Sequence, residues 1–138
     1  MANTITFSMI KPDAVKEGHV GAVIGRIEQA GFDIQAMKLT RLTVEQAGLF
    51  YEVHKERPFY NTMCQSMATG PIVAMVLSKA NAVMDFRQLI GATDPLQAAK
   101  DTIRAQFGKS IEANAIHGSD ADETALTEAR FFFPEISR

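Results

Sequence analysis

Strand-like and helix-like segments alternate along this chain from end to end, predicting a mixed fold in which helices cover one sheet. Three observations carry the reading. Ile5, Phe7 and Met9 alternate with Thr4, Thr6 and Ser8, the pattern of a strand with one face buried. Ile72 to Leu77 is continuously apolar, as a central strand covered on both faces requires. Between and beyond these strands, Val20, Ile24 and Ile27, and later Val83, Phe86 and Ile90, recur at helical spacing.

The elements follow in order. Pro12 stops the first strand and suits the first turn of a helix, which continues through Ile27 toward Gly31 as its C′ residue. Phe32 to Leu42 reads as a second strand, and its alternation changes phase near Ala36-Met37, so a bulge or twist is expected there. Thr43 and Gln46 have capping-box spacing and open a helix through about Glu56. A further helical segment, Asn61 to Met67, is entered through Arg57-Pro58-Phe59. Asn81 starts the next helix and Gly91 ends it, and Thr93-Asp94-Pro95 is turn chemistry. A short helix holds Ile103 and Phe107, and a weak strand runs up to His117. The last helix, to about Phe132, opens at Ser119-Asp122 or Asp120-Glu123, both spaced as capping boxes.

The resulting order, β-α-β-α-β-α-β-α, suits a parallel α/β sheet. It equally allows a split β-α-β arrangement, an antiparallel sheet with helices on one face. The order itself does not decide between them.

Composition narrows the function. With 138 residues, 46% apolar and 22% charged, the chain reads as one domain able to bury its own core. A formal charge of −2 gives no general attraction for nucleic acid or an anionic membrane. A polyanionic substrate must therefore meet a local cluster of cations. No apolar run is long enough to span a bilayer, and Met1-Ala2-Asn3-Thr4 lacks the marks of a signal peptide. Cys64 is the one cysteine, which excludes an intrachain disulfide and suits a reducing cytoplasm.

Chemistry concentrates late in the chain, at Asn114-Ala115-Ile116-His117-Gly118-Ser119-Asp120. Here a histidine ends a short apolar run just before a helix start. Neutral imidazole is a competent nucleophile near pH 7, and Gly118 leaves room for a phosphate beside it. No Gly-x-x-x-x-Gly-Lys-Ser/Thr loop is present, and Gly18, Gly21 and Gly25 do not form a dinucleotide fingerprint. They read instead as clearance between helix and sheet. Any nucleotide site must then be built from side chains. Lys11, where the first strand meets a helix start, can reach an anion. Glu128 lies three residues after Ala125 and four before Phe132, so it borders the apolar side of its helix and must be paired or functional. His19 and His54 read as surface or helix-face residues, and the three histidines are too scattered for a metal site.

An ordered set of motifs spans Thr4 to about Phe133: Thr6-Phe7-Ser8-Met9-Ile10-Lys11-Pro12-Asp13-Ala14, Arg57-Pro58-Phe59, Gly70-Pro71-Ile72-Val73, Leu89-Ile90-Gly91-Ala92-Thr93-Asp94-Pro95, Thr102-Ile103-Arg104 and the histidine segment. In these the chain resembles the nucleoside diphosphate kinase family over nearly its whole length. The resemblance favours the α+β alternative, a ferredoxin-like (split β-α-β), four-stranded antiparallel sheet covered by helices, with residues 1–138 as one nucleoside diphosphate kinase domain. It implies a kinase that moves the γ-phosphate of a nucleoside triphosphate, typically ATP, to a nucleoside diphosphate by a ping-pong mechanism through a phosphohistidine at His117. It further implies that Lys11, Tyr51, Arg87, Thr93, Arg104 and Asn114 line the phosphate and ribose site. Phe59 and Ile111 would clamp the base, Glu128 would hold the histidine ring, and Lys11 and Tyr51 would assist catalysis. Mg²⁺ is implied as a companion of the nucleotide, held by phosphates and not by protein side chains. Partners implied are nucleoside di- and triphosphates and further copies of the chain, as a homo-hexamer or homo-tetramer, in the cytoplasm, with no membrane or nucleic acid required.

Two other classes compete: an idle nucleotide-binding module on the same fold, and a phosphohistidine carrier between proteins. The intact set Lys11, Arg87, Arg104, Asn114, His117 and Glu128 argues against the first. Phe59, Thr93 and Asn114 would have no nucleotide to bind in the second. The chain departs from the usual family pattern in three places. Lys100-Asp101 precedes Thr-Ile-Arg where a smaller pair is common, Ala121 replaces a serine, and the chain ends soon after Pro134, without the subunit contacts of longer tails.

Overall fold

The computed structural model describes residues 4–136. Met1-Ala2-Asn3, part of the segment read above as lacking a signal peptide, lie outside the described residues, as do Ser137 and Arg138. Strands β1 (Ile5–Ile10), β2 (Asp33–Arg41), β3 (Pro71–Ser78) and β4 (Ile116–Gly118) form a four-stranded sheet in the order β2-β3-β1-β4. Every neighbouring pair is antiparallel. β3 therefore sits between β1 and β2, which run the same way. This is the split β-α-β arrangement, and it excludes the parallel alternative.

The helices are α1 (Pro12–Lys16), α2 (Val20–Gln29), α3 (Val44–Phe50), α4 (Tyr60–Met67), α5 (Ala82–Ile90), α6 (Ile103–Phe107) and α7 (Asp122–Phe132). They cover both faces of the sheet and not one. On one face Ile10, Val73, Met75 and Leu77 pack with Val23, Ile27, Phe86 and Ile103 of α2, α5 and α6. On the other, Phe7, Met9, Ile72 and Val76 pack with Ala47, Met67, Ala129 and Phe132 of α3, α4 and α7.

That second layer corrects the reading of β1. Thr6 and Ser8, taken from their alternation as a solvated face, are fully buried because β1 is central, and their hydroxyls have no hydrogen-bond partner. The helix expected between β1 and β2 is broken into α1 and α2, with Gly18 at φ +81° between them. An added Cβ at Gly18, Gly21 or Gly25 would meet nothing within 4 Å, so these glycines are not helix–sheet clearance. In β2 the expected irregularity falls slightly earlier, between Ile34 and Ala36.

The capping box of Thr43 and Gln46 is made, its two hydrogen bonds each 3.0 Å long. The helix it opens ends at Phe50, and a separate 3-10 turn covers Glu52–His54. Neither expected box opens α7. Its N-cap is Ala121, whose N–H is taken by the Thr124 hydroxyl at 3.0 Å. Ser119 and Asp120 are engaged elsewhere, by the residues around His117.

Candidate active site

β4 is three residues long and pairs with β1 through Ser8, Met9 and Ile10. His117 therefore stands in the middle of an outer strand, not at its end. Gly118 follows it for a packing reason: a Cβ there would lie 2.9 Å from Phe86 and 3.0 Å from Ile90. The sequence reading, that this glycine leaves room for phosphate, gives way to close contact between β4 and α5.

The His117 ring is bounded by Phe7, Phe50 and Tyr51, with ring centroids 6.1, 5.5 and 6.0 Å away. Its Nε2 lies 2.9 Å from Glu128 Oε1, and the Ser119 hydroxyl donates to the same oxygen at 2.7 Å. A carboxylate only accepts, so Nε2 carries the proton and Nδ1 keeps its lone pair. Ser119 is itself fixed by accepting the Phe7 N–H at 3.2 Å. The chain thus runs from β1 through Ser119 and Glu128 to the ring, and it selects one tautomer.

His117 lines a cavity of about 480 Å³ together with Lys11, Tyr51, His54, Phe59, Arg87, Thr93, Arg104, Ile111, Asn114 and Asp120. Every residue singled out from the sequence for nucleotide binding or catalysis is on this wall except Glu128, which stands behind the histidine.

Three cations converge there. Lys11, buried at the β1–α1 junction, donates to Asn114 Oδ1 at 2.9 Å, and Asn114 in turn donates to the Thr93 carbonyl at 3.0 Å. Burial pushes the Lys11 ammonium down to about 8; nearby Arg104 adds to this, while Asp13 and Glu112 oppose it. Arg104 donates to the carbonyls of Gly91 at 3.1 Å and Ile116 at 2.8 Å. Its Nε is buried without a partner, while Nη1 and Nη2 each spend one N–H on these carbonyls and keep a second for a ligand. Burial and then Arg87 push Arg104 down to about 10, which leaves it charged at neutral pH. Gly91 can aim its carbonyl this way because it sits at φ +92°, where a Cβ would collide with Thr102. Arg87, on α5, pairs with Asp120 at 2.7 Å.

The remaining positions also resolve. Tyr51 is both packing and site: it is buried against Phe50 and His117, and burial raises its hydroxyl pKa, with Glu128 adding to the shift. Phe59 is 46% and Ile111 54% exposed, so Phe59 is not core; the two are apolar lips of the cavity. The departure at Lys100-Asp101 leaves Arg104 well supported. Thr102 caps α6 by accepting from Ala105, and Arg26 of α2 holds the Asp101 carbonyl and the Gln106 side chain. His54, read as a surface residue, lines the cavity with its ring 6.1 Å from Phe59. Its place one helical turn after Tyr51 was the available signal.

Chemically this is an anion site with a nucleophile. Lys11, Arg87 and Arg104 supply positive charge without a glycine cradle, the imidazole presents a free nitrogen, and two exposed apolar side chains offer faces to a flat ring.

The chain is similar to known proteins of one family over nearly its whole length. The family model described as nucleoside diphosphate kinase matches residues 4–137. A protein of Flavobacterium psychrophilum named nucleoside diphosphate kinase is 56% identical over 133 residues, covering 96% of each chain. One of Chlorobium luteolum with the same name is 56% identical over 128 residues, 93% of this chain and 91% of that one. Among solved structures, the Aquifex aeolicus nucleoside diphosphate kinase superposes with a TM-score of 0.93 at 44% identity, over 94% of both chains. A halophilic nucleoside diphosphate kinase from Halobacterium salinarum, in complex with CDP, gives 0.88 at 38% identity, over 95% of this chain and 88% of that one.

Proposed function

The chain belongs to the nucleoside diphosphate kinase family, and from this premise we propose how its own residues carry the reaction. As a member it is a phosphotransferase, moving the γ-phosphate of a nucleoside triphosphate to a nucleoside diphosphate by a ping-pong route. The nucleophile is His117. Its Nδ1 lone pair attacks the γ-phosphorus, the bond to the β–γ bridging oxygen breaks, and the departing diphosphate takes the electron pair. The second half-reaction reverses these steps with a different diphosphate in the same place. The observation that carries the assignment is the Nε2–Glu128 hydrogen bond, which commits one nitrogen and leaves the other for the cavity.

Glu128 holds the ring and balances the positive charge that develops on it. Lys11, Arg87 and Arg104 spread charge over the transferring group, where catalysis is mainly positioning and electrostatics. Thr93, Asn114 and Tyr51 supply polar groups to phosphate and ribose. Phe59 and Ile111 hold the base by its faces, which tolerates any nucleobase. Residues 1–138 act as one kinase domain.

Magnesium fits this site as a companion of the nucleotide. Among the described residues, Asp120 is the only carboxylate on the cavity wall, and no cluster of three or more His, Cys, Asp or Glu could cage a metal. Mg²⁺ would be held by phosphate oxygens and water and would supply charge neutralisation.

We further propose self-association, as a homo-hexamer or homo-tetramer. β2 is an edge strand of nine residues that leaves Met37 49% and Leu39 67% exposed. Paired antiparallel with a second copy about Met37, it would set Asp33 opposite Arg41 at both ends. A cytoplasmic home is supported by the buried free thiol of Cys64. Among the described residues, no helix is long and apolar enough to cross a membrane.

The test is direct. Incubation with γ-labelled ATP should leave label on the wild-type chain, and unlabelled nucleoside diphosphate should remove it. His117→Ala should take up no label while still binding nucleotide. Label on that variant, or label that diphosphate does not chase, would overturn the assignment.

A further inference from the structure

The residue between Asn114 and Ile116 has an unusual backbone. Ala115 is fully buried at φ +77°, and the Ile116 N–H donates to the Asn114 carbonyl at 2.9 Å across it. This is a three-residue γ-turn of the rare positive-φ kind, in which a side chain is strained. Glycine would adopt it freely, yet alanine stands there.

Both backbone groups of Ala115 are held from the start of α1. The Lys11 N–H donates to the Ala115 carbonyl at 2.8 Å, and the Ala115 N–H donates to Asp13 Oδ2 at 3.1 Å. What flanks the turn is the site itself. Asn114 grips the Lys11 ammonium, the Ile116 carbonyl accepts from Arg104, and His117 comes next. Of the two groups that hold Ala115 itself, only the Asp13 carboxylate is a side chain, and its role in the reaction is otherwise unassigned.

We propose that Asp13 is a positioning residue for phosphoryl transfer: its carboxylate holds the strained turn that sets His117, the Ile116 carbonyl beneath Arg104, and the Asn114 grip on the Lys11 ammonium. The inference rests on His117 as the nucleophile. The strain of one positive-φ alanine is of the same order as a hydrogen bond to a charged acceptor, so one side chain suffices to offset it. The charge of Asp13 supports the same cluster, a second role. The charged groups facing Lys11 are Asp13 on α1, Arg104 on α6 and Glu112 before β4, and among them Asp13 does most to oppose the effect of burial.

The two roles separate by substitution. Asp13→Asn keeps an oxygen acceptor for the Ala115 N–H and removes the charge. Asp13→Ala removes both. Ala115→Gly placed on Asp13→Ala relieves the strain without restoring the charge. The readouts, in the full chain, are single-turnover labelling of His117 from ATP at about pH 6.5 and the alkaline limb of kcat/KM. At about pH 6.5 Lys11 is charged in every variant, so only turn geometry is read. Asp13→Ala should label at least about tenfold more slowly, the scale of a misplaced reacting group. Asp13→Asn should lose less, and Ala115→Gly should return most of the loss. The alkaline limb should move to lower pH in all three, and glycine should not return it. A purely structural Asp13 would leave that limb in place.

An unmoved limb in Asp13→Asn, or Asp13→Ala that Ala115→Gly fails to improve, would overturn the proposal. Absence of label on His117 in the wild type would instead overturn the nucleophile assignment, and this proposal with it.

Discussion

Replacing Glu128 by glutamine isolates the charge of the carboxylate from its geometry. In the wild type, Oε1 accepts from both His117 Nε2 and the Ser119 hydroxyl, at 2.9 and 2.7 Å. A glutamine oxygen can occupy the same place and accept the same two hydrogens, so the tautomer survives. What disappears is the negative charge facing an imidazole that turns cationic as its Nδ1 bonds to phosphorus. Both side chains are 18% exposed, which places the pair in a region of intermediate dielectric. Full charges about 4 Å apart interact there by about 4 kcal/mol. If the ring carries about half a charge in the transition state, the loss is about 2 kcal/mol, or roughly 30-fold in rate. Rapid-quench labelling from ATP would measure this step apart from product release. Glu128→Ala should be slower still, since it leaves His117 Nε2 without its acceptor, Ser119 with only the Phe7 carbonyl at 3.3 Å, and the ring free to turn. Thermal stability should separate the variants as well: unchanged or slightly raised in Glu128→Gln, which buries no charge, and lower by about 1–3 kcal/mol in Glu128→Ala. A Glu128→Gln enzyme within twofold of wild type, or one as slow as Glu128→Ala, would refute the electrostatic part of this reasoning.

Two further expectations concern pH and folding. Because burial lowers Lys11 to about 8, its cationic form is present below that pH and is lost as pH rises through it; kcat/KM, which reports the free enzyme, should fall above about pH 8, and a flat profile to pH 9.5 would contradict the role of Lys11. Ala121→Ser should complete the capping box that Thr124 already half makes, adding about 1 kcal/mol and raising Tm by about 2–5 °C without changing turnover; an unchanged melting curve would contradict the cap.

The alternating and continuous apolar runs of β1 and β3 were enough to locate both central strands, and the phase change in β2 anticipated its bulge to within two residues. What they lacked was coverage. Thr6 and Ser8 look solvated in sequence because alternation reports polarity, not the presence of helices on that side. Capping boxes are local signals, and Asp120 is drawn from its local role by Arg87, a residue 33 positions away. The cations, the histidine and the glutamate were each recognisable from motif position, and the fold does bring them together. His54 was missed because it matches no functional position of the motifs, although Tyr51, one turn before it, was read as a site residue. The γ-turn was invisible for a simpler reason: alanine carries no mark of positive φ, and only the backbone of the fold, with the Ile116 N–H on the Asn114 carbonyl, reveals it.

The distribution of this site along the chain bears on synthesis. Lys11 emerges from a ribosome well before Arg87 and Arg104, and His117 follows them. β4 cannot dock on β1 until that strand has waited for more than a hundred intervening residues, a separation that makes the contact late in folding as well. Glu128 arrives after both. Lys11 therefore waits for the rest of its cation cluster, and the histidine beside that cluster is made before the carboxylate that fixes its tautomer.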